Sequence, residues 1–168
     1  MVEHTKTCSK YFTSRVKSTI ADTRKHKRQL RYLEAIETLQ NCTIYYGHYL
    51  AKKRYCQNCG YSWETFEEKM TDVNISVELI NDAFNDNFDA ALLISGDSDL
   101  SGPVEKIRQI FPNKRMIIGF PPCRNSIRLK NMASAFFTIG RKKIADSQFP
   151  ENIKSKNGYV LRKPDRWR

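Results

Sequence analysis

Residues 90–94, AALLI, run apolar without a break and end in the acidic turn SGDSD at 95–99. A short apolar run bounded by Asp89 and Gly96 reads as a strand buried on both faces of a parallel sheet. In open α/β sheets the ligand site lies beyond the carboxyl ends of the strands, so this turn sets Asp97 and Asp99 at that rim. Two adjacent carboxylates repel each other and lose hydration. A hard divalent cation with oxygen ligands relieves both penalties.

The rest of the chain alternates around that strand. Residues 10–16, KYFTSRV, carry the aromatic and β-branched bias of a strand. A basic helix is predicted over 23–40, capped by Asp22 or Thr23, with Leu30, Leu33, Ile36 and Leu39 on one buried face. Residues 43–50, TIYYGHYL, form a second strand candidate, and residues 51–63 read as a small insertion. A helix opens at Thr71, its Val73, Val77, Ile80 and Phe84 repeating at helical spacing, with Asp72 in the favoured first turn. After the apolar strand, Ser98 is the expected cap of a helix running to Phe111. A strand at 115–120, a short helix from Asn125 or Ser126 to Met132, and a last strand at 135–139 follow. Strands and helices in alternation predict an α/β domain with a mostly parallel sheet over residues 1–150, and a basic tail over 151–168.

Charge separates along the chain. Residues 1–60 hold 12 Lys/Arg against 4 Asp/Glu, residues 61–102 hold 1 against 10, and residues 103–168 hold 16 against 4. Basic flanks around an acidic segment suit a polyanion that must meet a metal: cations hold phosphates while carboxylates hold the ion. A nucleic acid, RNA or DNA, is the candidate partner, and a solvated basic surface with one acidic helix is the alternative. No apolar run approaches a membrane span, and no signal pattern opens the chain. Five cysteines, Cys8, Cys42, Cys56, Cys59 and Cys123, are an odd number, which favours reduced thiols or a metal site and a cytoplasmic protein. Cys56-Gln57-Asn58-Cys59-Gly60 has the form of a zinc knuckle. His48 or Cys42 upstream are its candidate further ligands, and a redox pair is the rival reading.

The run TDVNISVELINDAFNDNFDAALLISGDSDL, the upstream EEK, and PP-x-R-x-S at 121–126 together resemble the NYN domain family, a branch of the PIN-like nuclease superfamily. KYFTSRV, CQNCG and FFTIGRKKIADSQFP extend the likeness across residues 11–150. The resemblance implies a three-layer α/β/α fold that gathers acids around Mg²⁺ or Mn²⁺ and hydrolyses RNA. It gives Asp72, Asp97 and Asp99 the metal-ligand positions, and Ser95, Ser98 and Ser126 places beside ligands or substrate. Lys69, Arg124, Arg128 and Lys130 would meet phosphates. The alternative is a catalytically impaired RNA-binding or regulatory module, and a weaker third reading is a zinc-stabilised interaction protein. The strand ending in Asp-Gly-x-Asn that usually opens the family has no counterpart in MVEHTKTCS, as a shifted start or a fragment would explain. Ser134 stands where relatives often carry an acid. A second copy or a partner chain completing the sheet is therefore expected.

Overall fold

The computed structural model describes residues 7–16 and 23–167. The chain forms two compact units, Met1–Thr71 with Phe149–Arg168, and Asp72–Gln148.

In the first unit, strand β1 (Ser9–Ser14) pairs in parallel with β2 (Cys42–Tyr55), and β2 pairs antiparallel with β3 (Ser62–Lys69). Helix α1 (Thr23–Glu37) connects β1 to β2 and buries Leu33, Ala35 and Ile36. It stops three residues earlier than its periodicity suggests. Thr38 and Leu39 donate their N–H groups to the carbonyls of Ala35 and Ile36, closing the last turn at the tighter three-residue spacing. Leu39, past the helix end, is exposed, and Leu30 within the helix is exposed as well. The expected cap of α1, Asp22 or the Thr23 side chain, lies outside the described residues.

β2 runs well past residue 50, so the stretch expected as an insertion is the far half of a hairpin. β3 was hidden in the sequence because SWETFEEK alternates only weakly and is acid-rich. The segment expected as a tail instead folds into β7 (Asn152–Lys154) and β8 (Val160–Arg162). Tyr32 of α1 meets Phe149 and Trp167 edge-on, and Leu161 is buried. Edge-on aromatic contacts of this kind add to the burial of Leu161 in holding a segment of polar composition.

In the second unit, β4 (Ala90–Ile94), β5 (Arg115–Phe120) and the last strand β6 (Ala135–Thr138) form a parallel sheet in that order. Helix α2 (Thr71–Phe84) precedes β4, α3 (Ser101–Ile110) links β4 to β5, and α4 (Ile127–Met132) links β5 to β6. Helix α5 (Arg141–Asp146) follows β6. Ala83, Leu100, Val104, Ile107, Met116, Ile118, Phe120 and Leu129 form the core, with Ile75, Leu79 and Ile80 packed against it. The buried face of α2 is thus rotated from the one expected. Val77 and Phe84 are 56% and 62% exposed, and Ile75, Leu79 and Ala83 take the inner positions. Arg108 of α3 donates to the Met132 carbonyl at the end of α4 (2.8 Å), satisfying one of its orphan acceptors. Ser134 accepts from the Met116 N–H at 3.1 Å and serves the sheet. Among the described residues no helix is long and apolar enough to cross a membrane.

Candidate functional site

The turn after β4 is built by its own polar side chains. Ser95 Oγ accepts from the Asp97 N–H at 3.1 Å, and Asp97 Oδ1 accepts from the Asp99 N–H at 3.0 Å. These bonds start a 3-10 turn, Ser98–Leu100, that runs directly into α3. The cap is Asp97 and not Ser98, because Ser98 is already the first residue of the 3-10 turn and the Asp97 side chain is the one that accepts from the Asp99 N–H. Leu100 pins the turn to the core, while Asp97, Ser98 and Asp99 stay exposed. One oxygen of Asp97 is spent on the backbone. Its other oxygen and the Asp99 carboxylate remain for a ligand.

The turn sits against the loop that follows β5. A methyl group added at Gly96 would lie 2.9 Å from Arg124 Cβ and 3.6 Å from the Arg124 carbonyl carbon. Nothing larger than glycine fits between the two loops, and their closeness brings Arg124 beside the acidic turn. The same loop holds Cys123 at φ 60°, a left-handed conformation that costs a non-glycine residue about 1 kcal/mol. Ser126 is 8% exposed and accepts from the Leu129 N–H at 3.3 Å, capping α4, so its hydroxyl oxygen holds the helix. Arg128 is exposed, and the Lys130 ammonium lies over the rings of Phe120 and Phe136 at 5.5 and 5.4 Å.

Asp72 is exposed in the first turn of α2. Among the described residues no group of three His, Cys, Asp or Glu could hold a metal ion. Asp97 and Asp99 are brought onto one turn, and Asp72 is not drawn into a three-carboxylate group with them. A magnesium ion is commonly held through one or two carboxylates, with waters and substrate phosphates completing its octahedron. The donor set of this turn fits that pattern.

A second polar cluster, not anticipated, lies in the first unit just before Asp72. Ser14 at the end of β1 is buried and its Oγ lies 3.3 Å from Thr71 Oγ1, which donates to Glu68 Oε1 at 2.6 Å. Gly47 leaves room for it: a methyl there would meet the Lys69 carbonyl oxygen at 2.5 Å and Thr71 Oγ1 at 2.8 Å. Serine and threonine are too common for this cluster to stand out, but the EEK-x-TD spacing marked its location. Lys69 is exposed and pairs with Glu67 at 3.4 Å, a carboxylate also reached by Arg54 at 2.8 Å and Lys52 at 3.3 Å. The Lys52 hydrogen bond first, then the charges of Lys52 and Lys69, hold Glu67 below the usual carboxylate range. On α1, Arg24, Lys27, Arg28 and Arg31 fall on one face and line a groove with Pro164 and Asp165.

The hairpin tip corrects the expected zinc set. Cys56 and Cys59 lie in the turn between β2 and β3, whereas His48 sits opposite Lys69 near the other end of the ladder. Eight residues of extended strand separate His48 from Cys56, about 26 Å at strand rise. Cys42 opens β2 and is farther still. Neither can share an ion with the tip. The Cys56 thiol is held below the usual thiol range by the backbone N–H of Cys59, then that of Asn58, then the Cys59 side chain.

A family model described as NYN domain matches residues 9–144. The chain is also similar to a crystal structure of a protein of unknown function from Vibrio parahaemolyticus RIMD 2210633. Identity is 24%, coverage is 80% of this chain and 69% of that chain, and the TM-score is 0.49. No curated protein matches the chain.

Proposed function

Because the chain belongs to the NYN domain family, a nuclease-like, PIN-like group, we propose that it is a metal-dependent ribonuclease. Asp97 and Asp99 hold a Mg²⁺ or Mn²⁺ ion, and RNA phosphodiester bonds are its substrate. The observation that carries this reading is the exposed carboxylate pair beyond β4, pressed by Gly96 against the Arg124 loop. When bound, the ion would supply Lewis-acid polarisation and a more acidic water.

The chain's own residues do the rest. Asp97, tied by Oδ1 to the Asp99 N–H, presents its second oxygen in a fixed direction. Ser95 braces the same turn. Arg124 offers a guanidinium to a substrate phosphate, where planar paired donors suit the anion. Ser98 is exposed for a further contact, and Ser126 keeps α4 in register beneath the loop. Asp72, not gathered with them, serves the first turn of α2, where the helix N-terminus favours a carboxylate. The basic face of α1 offers sequence-independent phosphate contacts.

A second reading is a module that binds RNA and has lost cleavage. It is favoured by one fact: no three acids that could hold a metal are gathered among the described residues. Incubating single-stranded RNA with wild type and Asp97→Asn, with Mn²⁺ or with chelator, separates the two. The nuclease reading predicts cleavage by wild type with metal only. RNA binding without cleavage by either protein would select the second reading.

A further inference from the structure

The nuclease reading leaves the tip of the β2–β3 hairpin without a task, although it is the most chemically specific feature of the first unit. The ladder runs from His48 opposite Lys69 to Tyr55 opposite Ser62, and the next residue is Cys56. The Cys56 N–H donates to the Tyr61 carbonyl at 2.8 Å, and the Gly60 N–H donates to the Cys56 carbonyl at 3.0 Å. Gly60 takes φ 70°, a left-handed conformation that glycine adopts without strain. This closed turn carries Cys56 and Cys59 three residues apart, and hydrogen bonding from the Cys59 and Asn58 N–H groups and the Cys59 side chain lowers the Cys56 thiol below its ordinary range. Two thiols in one closed hairpin tip, followed by a left-handed glycine, have the spacing of a zinc knuckle. A disulfide sulfur would gain little from such donors. A thiolate bound to a metal gains a good deal.

Zinc takes four ligands in a closed structural site, and the tip supplies two. Among the described residues no third His, Cys, Asp or Glu is in reach. The remaining ligands must come from outside this hairpin. We propose that Cys56 and Cys59 form half of a tetrahedral zinc site whose other half is the same pair from a second copy of this chain. A twofold axis through the ion makes each tip the other's partner, so one two-cysteine turn is self-complementary. The surroundings suit such a contact. Tyr55, Tyr61 and Trp63 are all exposed around the turn, and the rings of Tyr61 and Trp63 stack at 6.1 Å. Exposed aromatics of this kind are enriched at the centres of interfaces. A zinc ion with four thiolates is a dianion, and the basic run 52–54 next to the tip, two members of which also pair with Glu67, lowers its cost. As each zinc–sulfur bond forms, its thiol gives up a proton to solvent, so no redox partner is needed. The site is independent of the acidic turn and of the nuclease reading.

The test uses the full chain, reduced and stripped of metal, then titrated with Zn²⁺ while metal content and molar mass are measured. The expected result is one zinc per two chains, with the mass doubling in step with uptake and returning on chelation. Co²⁺ in place of Zn²⁺ should give the visible absorption of a tetrahedral four-sulfur site. Cys56→Ser and Cys59→Ser should each abolish uptake and stay monomeric, with unchanged circular dichroism. The backbone bonds that close the tip do not use either sulfur, so these variants should fold, and reversal by chelator in wild type gives the same answer without them. One zinc per chain in a monomer, a dimer indifferent to zinc, or thiols that form a disulfide and take up no zinc would each overturn the proposal.

Discussion

At the scale of single residues, Asp97 does two separable things. Its Oδ1 caps the 3-10 turn by accepting from the Asp99 N–H, and its charge is available to a cation. Asparagine keeps the first role and removes the second. Alanine removes both, and loss of a cap costs about 1 kcal/mol. Urea denaturation should therefore show Asp97→Asn close to wild type and Asp97→Ala lower by about that amount, while both lose cleavage. Equal loss of stability in the two variants would mean the carboxylate charge, and not the cap, holds the turn. Gly96 is the other single-residue test. Alanine there would drive Cβ into Arg124, and overpacking of this kind costs about 1–3 kcal/mol. Gly96→Ala should lower the melting temperature and weaken RNA binding together, as measured by calorimetry and filter binding. The acidic pair and Gly96 could be read directly from the sequence. The sequence placed Ser126 both at a helix start and beside substrate, and which of the two its hydroxyl serves depends on where the loop turns.

At the scale of elements, the second unit was more legible than the first. β4 and β5 fall where their apolar runs predicted, but β4 ends its sheet with Leu92 and Ile94 exposed, so its unbroken apolar run does not mark the strand buried on both faces that was expected. β3 and the β7–β8 hairpin did not, since exposed strands carry polar residues and their pairing is decided by partners distant in sequence. The face of α2 was misjudged for a related reason: Val73, Val77 and Phe84 repeat at helical spacing, yet the core meets the neighbouring stripe of Ile75, Leu79 and Ala83. Lys114 joins the α2 end of the second unit to β5. It is 8% exposed, pairs with Asp86, and donates to the Phe88 carbonyl at 2.7 Å. Since Asp86 is largely exposed, the carbonyl is the costlier partner to lose. Lys114→Met should destabilise by about 1–3 kcal/mol in urea titration, and an unchanged midpoint would refute that role. In the β2–β3 hairpin, Glu67 has a depressed folded pKa, so its contribution is present above the ordinary carboxylate range and is lost as pH falls through the folded value. The melting-temperature gap between wild type and Glu67→Gln, small because the cluster is partly exposed, should close on acidification. A gap that persists in acid would mean packing and not charge sets it.

At the scale of the whole molecule, the charge distribution and the acidic turn belong to one account. Positive charge attracts a polyanion regardless of its sequence, whereas cleavage needs carboxylates at one rim of one sheet. The family was visible in the sequence from the spacing of EEK-x-TD and SGDSDL. The gathering of Asp72 with Asp97 and Asp99 that the resemblance implied is not formed among the described residues, because it depends on how strand and helix ends meet and not on spacing along the chain. The most direct measurement is the cleavage of end-labelled single-stranded RNA by the full chain, with Mg²⁺ or Mn²⁺, in excess chelator, and by Asp97→Asn with metal. The account predicts products in the first condition only. Equal cleavage in chelator, or by Asp97→Asn, would contradict it.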